Sequence, residues 1–344
     1  MAVAGRLLSA LLRHAPEGLL RRLGGEPPTI RGRTLDAGLA LVASGAAKQT
    51  PFHRMSAGEA RAMMRRSGAL TGAPPRPMAR IEARALPGPA GPIPVRVYHP
   101  HGPSGPRPLL LYFHQGGCVL GDLDTCEPFC TLLAETARCP VMSVDYRLGP
   151  EHRFPASQED AVAATRWAME HAGEVGGDPA RLVVAGDSAG GGLAAHVTHE
   201  LRRSGDPQPV LQVMIYPWVH AYADNASYRD FADSFPLTPE GMRWFLDLYA
   251  NGEQDEKDPR LSPLLEDDFA GLAPALVYTA GFDPLCDEGE AYAKKLEAAG
   301  VPVGYRCVEH LCHSFTGFGA IPAAAEAQAG IARDVERVLT GGEP

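Results

Sequence analysis

The chain has 344 residues, 45% of them hydrophobic and 21% charged, and 32 Lys and Arg against 41 Asp and Glu leave a formal charge of −9. That composition excludes disorder and collagen-like repeats, and the length suffices for one large α/β domain with an accessory element. An acidic chain without a basic block is not expected to bind nucleic acid or anionic membranes, and no stretch nears the ~20 apolar residues that span a bilayer.

The segment 1–23 sets Arg6, Arg13, Arg21 and Arg22 among paired leucines. It reads as an amphipathic helix packed on the body of the protein, with a transit-type or surface-lying segment as the alternative. Helical patterning continues to about residue 70, where Ser56 and Glu59 form a capping-box signature and no strand is evident. After a Pro/Gly-rich joint at 72–77, runs 79–85 and 93–98 read as paired antiparallel strands. Strand-length apolar runs then alternate with helix-length segments, which predicts βαβ crossovers and a mostly parallel sheet. The strands are expected at 109–113, 141–144, 182–185, 210–215, 276–279 and 303–308. Helices are expected at 127–136, 158–171, 189–203, 288–299 and 323–339. The interval 216–271 is too long for a crossover and contains its own helix at 239–249, with Thr238 as N-cap, so it reads as an insertion over the sheet.

The strongest chemical signal is Gly186-Asp187-Ser188-Ala189-Gly190, a G-x-S-x-G directly after one apolar run and directly before a helix. A serine at such a strand-to-helix turn is pushed out at the carboxyl edge of the sheet, above a helix N-terminus with unpaired N–H groups. Serine needs a base to lose its proton, and the base needs an acid to hold its tautomer. In the expected order Ser, acid, His, the bases are His313, in the loop after the last strand, and His310, closer to the strand end; loop position favours His313. Asp283 follows strand 276–279 and fits the acid, whereas Asp287 and Glu288 fall where a helix begins and read as caps for its dipole. His114-Gln115-Gly116-Gly117-Cys118 ends strand 109–113, and two glycines there can turn bare N–H groups to a reacting carbonyl, together with the N–H of Ala189.

The two sets with metal-ligand chemistry are Cys307, His310, Cys312 and His313, and the helical pair His196 and His199. Neither has zinc-site spacing with a second ligand pair, so no metal and no cofactor is expected. Seven cysteines, Cys118, Cys126, Cys130, Cys139, Cys286, Cys307 and Cys312, are an odd and scattered set that predicts reduced thiols in a cytoplasm. Cys118, Cys286 and Cys312 fall on three of the active loops, which predicts sensitivity to thiol reagents. His114, Tyr146, Arg147 and Glu151 read as structural polar groups.

These residues resemble the hormone-sensitive-lipase-like branch of the α/β-hydrolases, the bacterial carboxylesterases. The resemblance spans residues 56–339 and is carried by 114–117, by Asp145-Tyr146-Arg147-Leu148-Gly149-Pro150-Glu151-His152-Arg153-Phe154-Pro155-Ala156, by the glycine-flanked serine at 186–191, by Gly281-Phe282-Asp283-Pro284-Leu285-Cys286-Asp287-Glu288-Gly289, and by His313 with Phe315. It implies an α/β-hydrolase fold at 71–340, capped by residues 1–70 and the insertion 217–271. It also implies a triad of Ser188, Asp283 and His313, oxyanion donors at Gly116, Gly117 and Ala189, and homodimers, which are frequent in that family. The implied activity is cofactor-free hydrolysis of short- to medium-chain acyl esters, a small-molecule substrate class. An amidase or deacetylase with the same triad is one alternative. A non-catalytic receptor, as the plant gibberellin receptors resemble, is another, although those lose the histidine. Gln115 stands where the family has a glycine, Leu311, Cys312, His313 and Ser314 replace its usual apolar residue, His, Gly arrangement, and Cys118 stands where an aromatic is usual, which predicts a wider pocket.

Overall fold

Eight strands carry the apolar runs into one sheet. The computed structural model describes residues 2–102, 105–221 and 223–344, with side chains from residue 7. The amino-terminal part holds helices α1 (Ala2–His14), α2 (Glu17–Gly24), α3 (Ala37–Ala46) and α4 (Ala57–Thr71). Met1 and the side chain of Arg6 lie outside what is described; Leu12 and Leu20 are buried, whereas Leu7, Leu19 and Leu23 stay exposed. Ser56 caps α4 through the reciprocal bond with Glu59. A two-stranded hairpin, Thr29–Ile30 with Arg33–Thr34, also forms where no strand was expected. Strands of two residues carry no period to read.

The sheet strands are β1 (Arg80–Gly88), β2 (Gly91–His99), β3 (Arg107–Phe113), β4 (Val141–Val144), β5 (Gly177–Asp187), β6 (Leu211–Ile215), β7 (Ala275–Phe282) and β8 (Val303–Cys312). Their order is β8-β7-β6-β5-β3-β4-β2-β1. β2 runs antiparallel to β1 and β4, and every other pair is parallel. Alternate side chains of β3 show how both faces are filled. Leu109, Leu111 and Phe113 share one core with α6 (Ala156–His171), α7 (Ala189–Ser204) and α11 (Cys286–Ala298). Leu110 and Tyr112 point the other way, into a second core with α5 (Leu123–Ala137) and α12 (Pro322–Leu339). Burial on both faces is why these strands read as continuous apolar runs.

α5 starts four residues earlier than expected because Asp122 caps it, accepting from Asp124 and Thr125, and Pro128 is carried inside the helix. Between β6 and β7 the chain leaves the sheet and forms α8 (Ala226–Asp230), α9 (Pro239–Tyr249) and α10 (Glu253–Glu256), with Thr238 capping α9 as expected. Tyr222 in this stretch lies outside the described residues. Among the described residues no helix is long and apolar enough to cross a membrane.

His196 and His199 of α7 are buried, and burial holds their pKa values down at about 3 and about 4. His199 Nε2 lies 3.1 Å from Tyr292 Oη. Unfolding releases both to near 6.5, so the unfolded chain binds more protons and their contribution to stability falls as pH drops below 6.5. Buried Glu288, pushed the other way, contributes with opposite sign, so the histidine effect is read by difference. From pH 7 to pH 5 wild-type Tm is expected to fall roughly 5 °C further than that of His196→Leu/His199→Phe. Parallel Tm curves by differential scanning calorimetry would contradict this.

Candidate active site

β5 sits in the middle of the sheet and ends at Asp187; α7 begins at Ala189. The single residue between them, Ser188, has φ 54° and ψ −120°. A non-glycine residue rarely adopts that conformation, and here neighbours hold it. Its N–H donates to the Ile215 carbonyl at 2.9 Å, and its own carbonyl accepts from Gly192 at 3.1 Å and Trp218 at 3.0 Å. The turn closes so tightly that a Cβ on Gly190 would lie 1.8 Å from the Phe113 carbonyl oxygen. This contact explains the small residues around the serine and brings the loop after β3 beside it.

Asp283 follows the end of β7 and is wholly buried. Its Oδ1 accepts from the Leu285 N–H at 2.9 Å, and its Oδ2 lies 2.7 Å from His313 Nδ1. His313 follows the end of β8, and its Nε2 lies 2.9 Å from Ser188 Oγ. With Nδ1 facing a carboxylate, the partners assign the proton to Nδ1 and leave the Nε2 lone pair for the serine hydroxyl. The structure thus brings Ser188, His313 and Asp283 into one hydrogen-bonded line. His310 lies on β8 with an exposed side chain, and its carbonyl accepts from the Asp36 N–H at 2.9 Å.

Gly116 and Gly117 have φ of 129° and 61°, open to glycine and costly for other residues. Among the described residues no protein acceptor takes either N–H. Ala189, first in α7, has an N–H that its helix cannot use. The substituted Gln115 needs no left-handed backbone, whereas Cys118 takes φ 56°. Cys118 does not line a widened pocket. It is buried near Ser157 and Tyr249, and burial pushes its thiol up to about 12. The space above Gly117 is filled instead by Phe245 of α9, whose ring lies 2.3 Å from where a Cβ would stand. Phe52 stacks on Phe245 at 5.2 Å, and Trp244 meets Phe52 edge-on at 5.4 Å.

Neither Asp287 nor Glu288 caps α11, contrary to expectation: the N-cap is Leu285, without a side-chain bond. Asp287 instead pairs with Arg31 at 2.7 Å and accepts from the Ser227 N–H, while buried Glu288 accepts from the N–H groups of Val219 and His220. Sequence reasoning also missed a second buried carboxylate. Asp187 Oδ2 accepts from Tyr216 Oη at 2.9 Å and Thr316 Oγ1 at 2.8 Å, and burial holds its pKa above the usual carboxylate value. Tyr216 also packs its ring on His313 at 4.7 Å. Asp187 was visible inside the serine motif, but no spacing rule points to Tyr216 or Thr316. Of the polar groups read as structural, Arg147 pairs with Asp160, and Glu151 is held down to about 2 by Arg61. Among the described residues no three His, Cys, Asp or Glu side chains form a group able to hold a metal ion.

The model of the α/β hydrolase fold family matches residues 110–317. The chain belongs to the hormone-sensitive-lipase-like branch of the α/β-hydrolases. It is 48% identical to carboxylic ester hydrolase LipN of Mycobacterium tuberculosis over 67% of this chain and 63% of LipN, so it spans less than two thirds of that relative. It is 39% identical to ethyl acetate hydrolase of Pseudomonas putida over 88% of this chain and 96% of that one. An esterase structure from Pyrobaculum calidifontis is similar at 35% identity and a TM-score of 0.81, covering 87% of this chain and 98% of that one. Relatives of this kind support carboxylic ester hydrolase activity.

The cysteine expectation needs correction. Cys118, Cys286 and Cys312 are buried, and their thiols are pushed up. Cys307 is half-buried; a hydrogen bond from Cys286, 4.0 Å away, with help from the Arg33 guanidinium, draws it down to about 7. Thiolate reacts and thiol does not. Brief iodoacetamide treatment at pH 7.5 is therefore expected to mark Cys307 first; peptide mass spectrometry finding Cys118 or Cys312 labelled earlier would refute it.

Proposed function

We propose that this protein hydrolyses short- and medium-chain carboxylic esters through an acyl-enzyme on Ser188. The observation that carries the reading is His313 bridging Ser188 at 2.9 Å and Asp283 at 2.7 Å. Ser188 Oγ attacks the ester carbonyl while His313 Nε2 takes its proton, and Asp283 stabilises the imidazolium through Nδ1–H. The N–H groups of Gly116, Gly117 and Ala189 receive the oxyanion. His313 then returns the proton to the departing alcohol oxygen, the C–O bond breaks, and water repeats the sequence to free the acid and Ser188.

Residues 1–70 and 217–271 act as a cap over the catalytic domain at 71–340. Phe52 belongs to one cap segment and Trp244 and Phe245 to the other, and this aromatic cluster sets the pocket's depth. Seven free thiols fit a cytoplasmic location.

The purified protein is expected to turn over p-nitrophenyl acetate and butyrate faster than laurate without added metal, with Ser188→Ala slower by several orders of magnitude. Equal rates in the two proteins would sink the catalytic reading. Phe245→Ala is expected to raise the octanoate-to-butyrate ratio of kcat/KM about tenfold, since each added methylene gains apolar contact in the enlarged site. An unchanged ratio would remove Phe245 from the pocket wall.

A further inference from the structure

Between the ends of β3 and β5, behind Ser188, lies a small cavity of about 10 Å³ lined in part by Tyr112, His114 and Asp187. Each of the three has a buried polar atom whose hydrogen-bonding capacity no protein group meets: Tyr112 Oη, His114 Nε2 and Asp187 Oδ1. These residues are 0%, 0% and 2% exposed. Buried polar atoms are rarely left unpaired, and three around one cavity indicate a shared ligand.

The ligand's chemistry follows from the lining. His114 Nδ1 lies 2.8 Å from the Gln115 carbonyl, so Nδ1 carries the proton and Nε2 presents a lone pair. Asp187 Oδ1 belongs to a carboxylate whose other oxygen already takes two hydroxyl bonds, and it is a second acceptor. Tyr112 Oη brings a donor. Burial, with the nearby Asp187 carboxylate added, raises the phenol's pKa and keeps it protonated; the two side chains are close enough to influence each other, but Tyr112 Oη makes no hydrogen bond of normal length to Asp187. Two acceptors and one donor around a volume of about one water match a water that donates twice and accepts once. An anion would meet the Asp187 charge, and a metal cation would meet the phenol proton.

We propose that this site binds one water molecule and that the water locks the oxyanion loop to the serine turn. The catalytic consequence rests on the reading above; the water site does not. His114 stands two residues before Gly116, and its ring is fixed, stacked on Tyr146 at 4.4 Å. Asp187 precedes Ser188 and reaches, through Tyr216 and Thr316, the loop that carries His313. The water closes this chain, so that the oxyanion donors, the nucleophile and the base keep one geometry. Tyr112, His114 and Asp187 are positioning residues: they act on the reacting atoms through others.

The test is a high-resolution crystal structure of the full chain, with kinetics of Tyr112→Phe. A spherical density peak about 2.6–3.1 Å from Tyr112 Oη, His114 Nε2 and Asp187 Oδ1 is expected. For p-nitrophenyl butyrate, kcat of Tyr112→Phe is expected to fall about tenfold with KM within about twofold, because only transition-state alignment is lost. An empty map at the site overturns the proposal, as does a direct Tyr112–Asp187 bond or a peak at the shorter distances of a metal cation. A water peak with kcat unchanged in Tyr112→Phe overturns the positioning role. If the wild type hydrolyses no ester, the peak still decides the water site, and the functional reading fails separately.

Discussion

The left-handed backbone at Ser188 is the constraint around which the rest of the molecule is arranged. A conformation of that kind costs on the order of 1–3 kcal/mol and persists only where its surroundings over-determine it. Here the serine's N–H is tied to β6 and its carbonyl to Gly192 and Trp218, while Gly190 lets the turn press against the end of β3. A central strand of a parallel sheet, buried on both faces, can supply such restraint; a surface hairpin could not. The strain lifts one hydroxyl out of the sheet edge, and the loops after β7 and β8 bring the acid and the histidine to it.

Two buried carboxylates near that hydroxyl do different work because their partners differ. Asp283 faces the imidazole and one backbone N–H. Asp187 faces two hydroxyls and so becomes a strut between the serine turn and the histidine loop. Burying a carboxylate is expensive unless its lone pairs are met, which is why each lies within a set of specific donors. Neither could be moved by one residue without leaving a buried charge uncompensated.

Packing from above completes the site. Arg61 of α4 donates to the Val119 and Gly149 carbonyls and pairs with Glu151, joining the amino-terminal helices to the loops after β3 and β4. Phe245 descends from the other excursion onto Gly117, and Phe52 backs it. An aromatic side chain absent at position 118 is thus supplied from elsewhere in the chain, and Cys118 turns into the core.

The alternation of apolar runs with helix-length segments was enough to specify a mostly parallel α/β sheet, because burial on both faces leaves a mark in every strand. The glycine-flanked serine between a strand and a helix was legible for the same reason: its chemistry and its backbone demand are local. Asp283 and His313 were legible as residues that follow strands. Other features left no trace in the order of residues. The two-residue hairpin at 29–34 has no period, Asp287 and Glu288 stand where caps stand but face Arg31 and the backbone at 219 and 220, and the Asp187–Tyr216–Thr316 strut joins residues with no common spacing. Local sequence determined the elements and the strained turn at Ser188, since both depend on neighbours along the chain. Only tertiary structure decided which polar groups meet and which ring covers the glycine loop after β3, because those depend on distances between segments that the sheet order alone brings together.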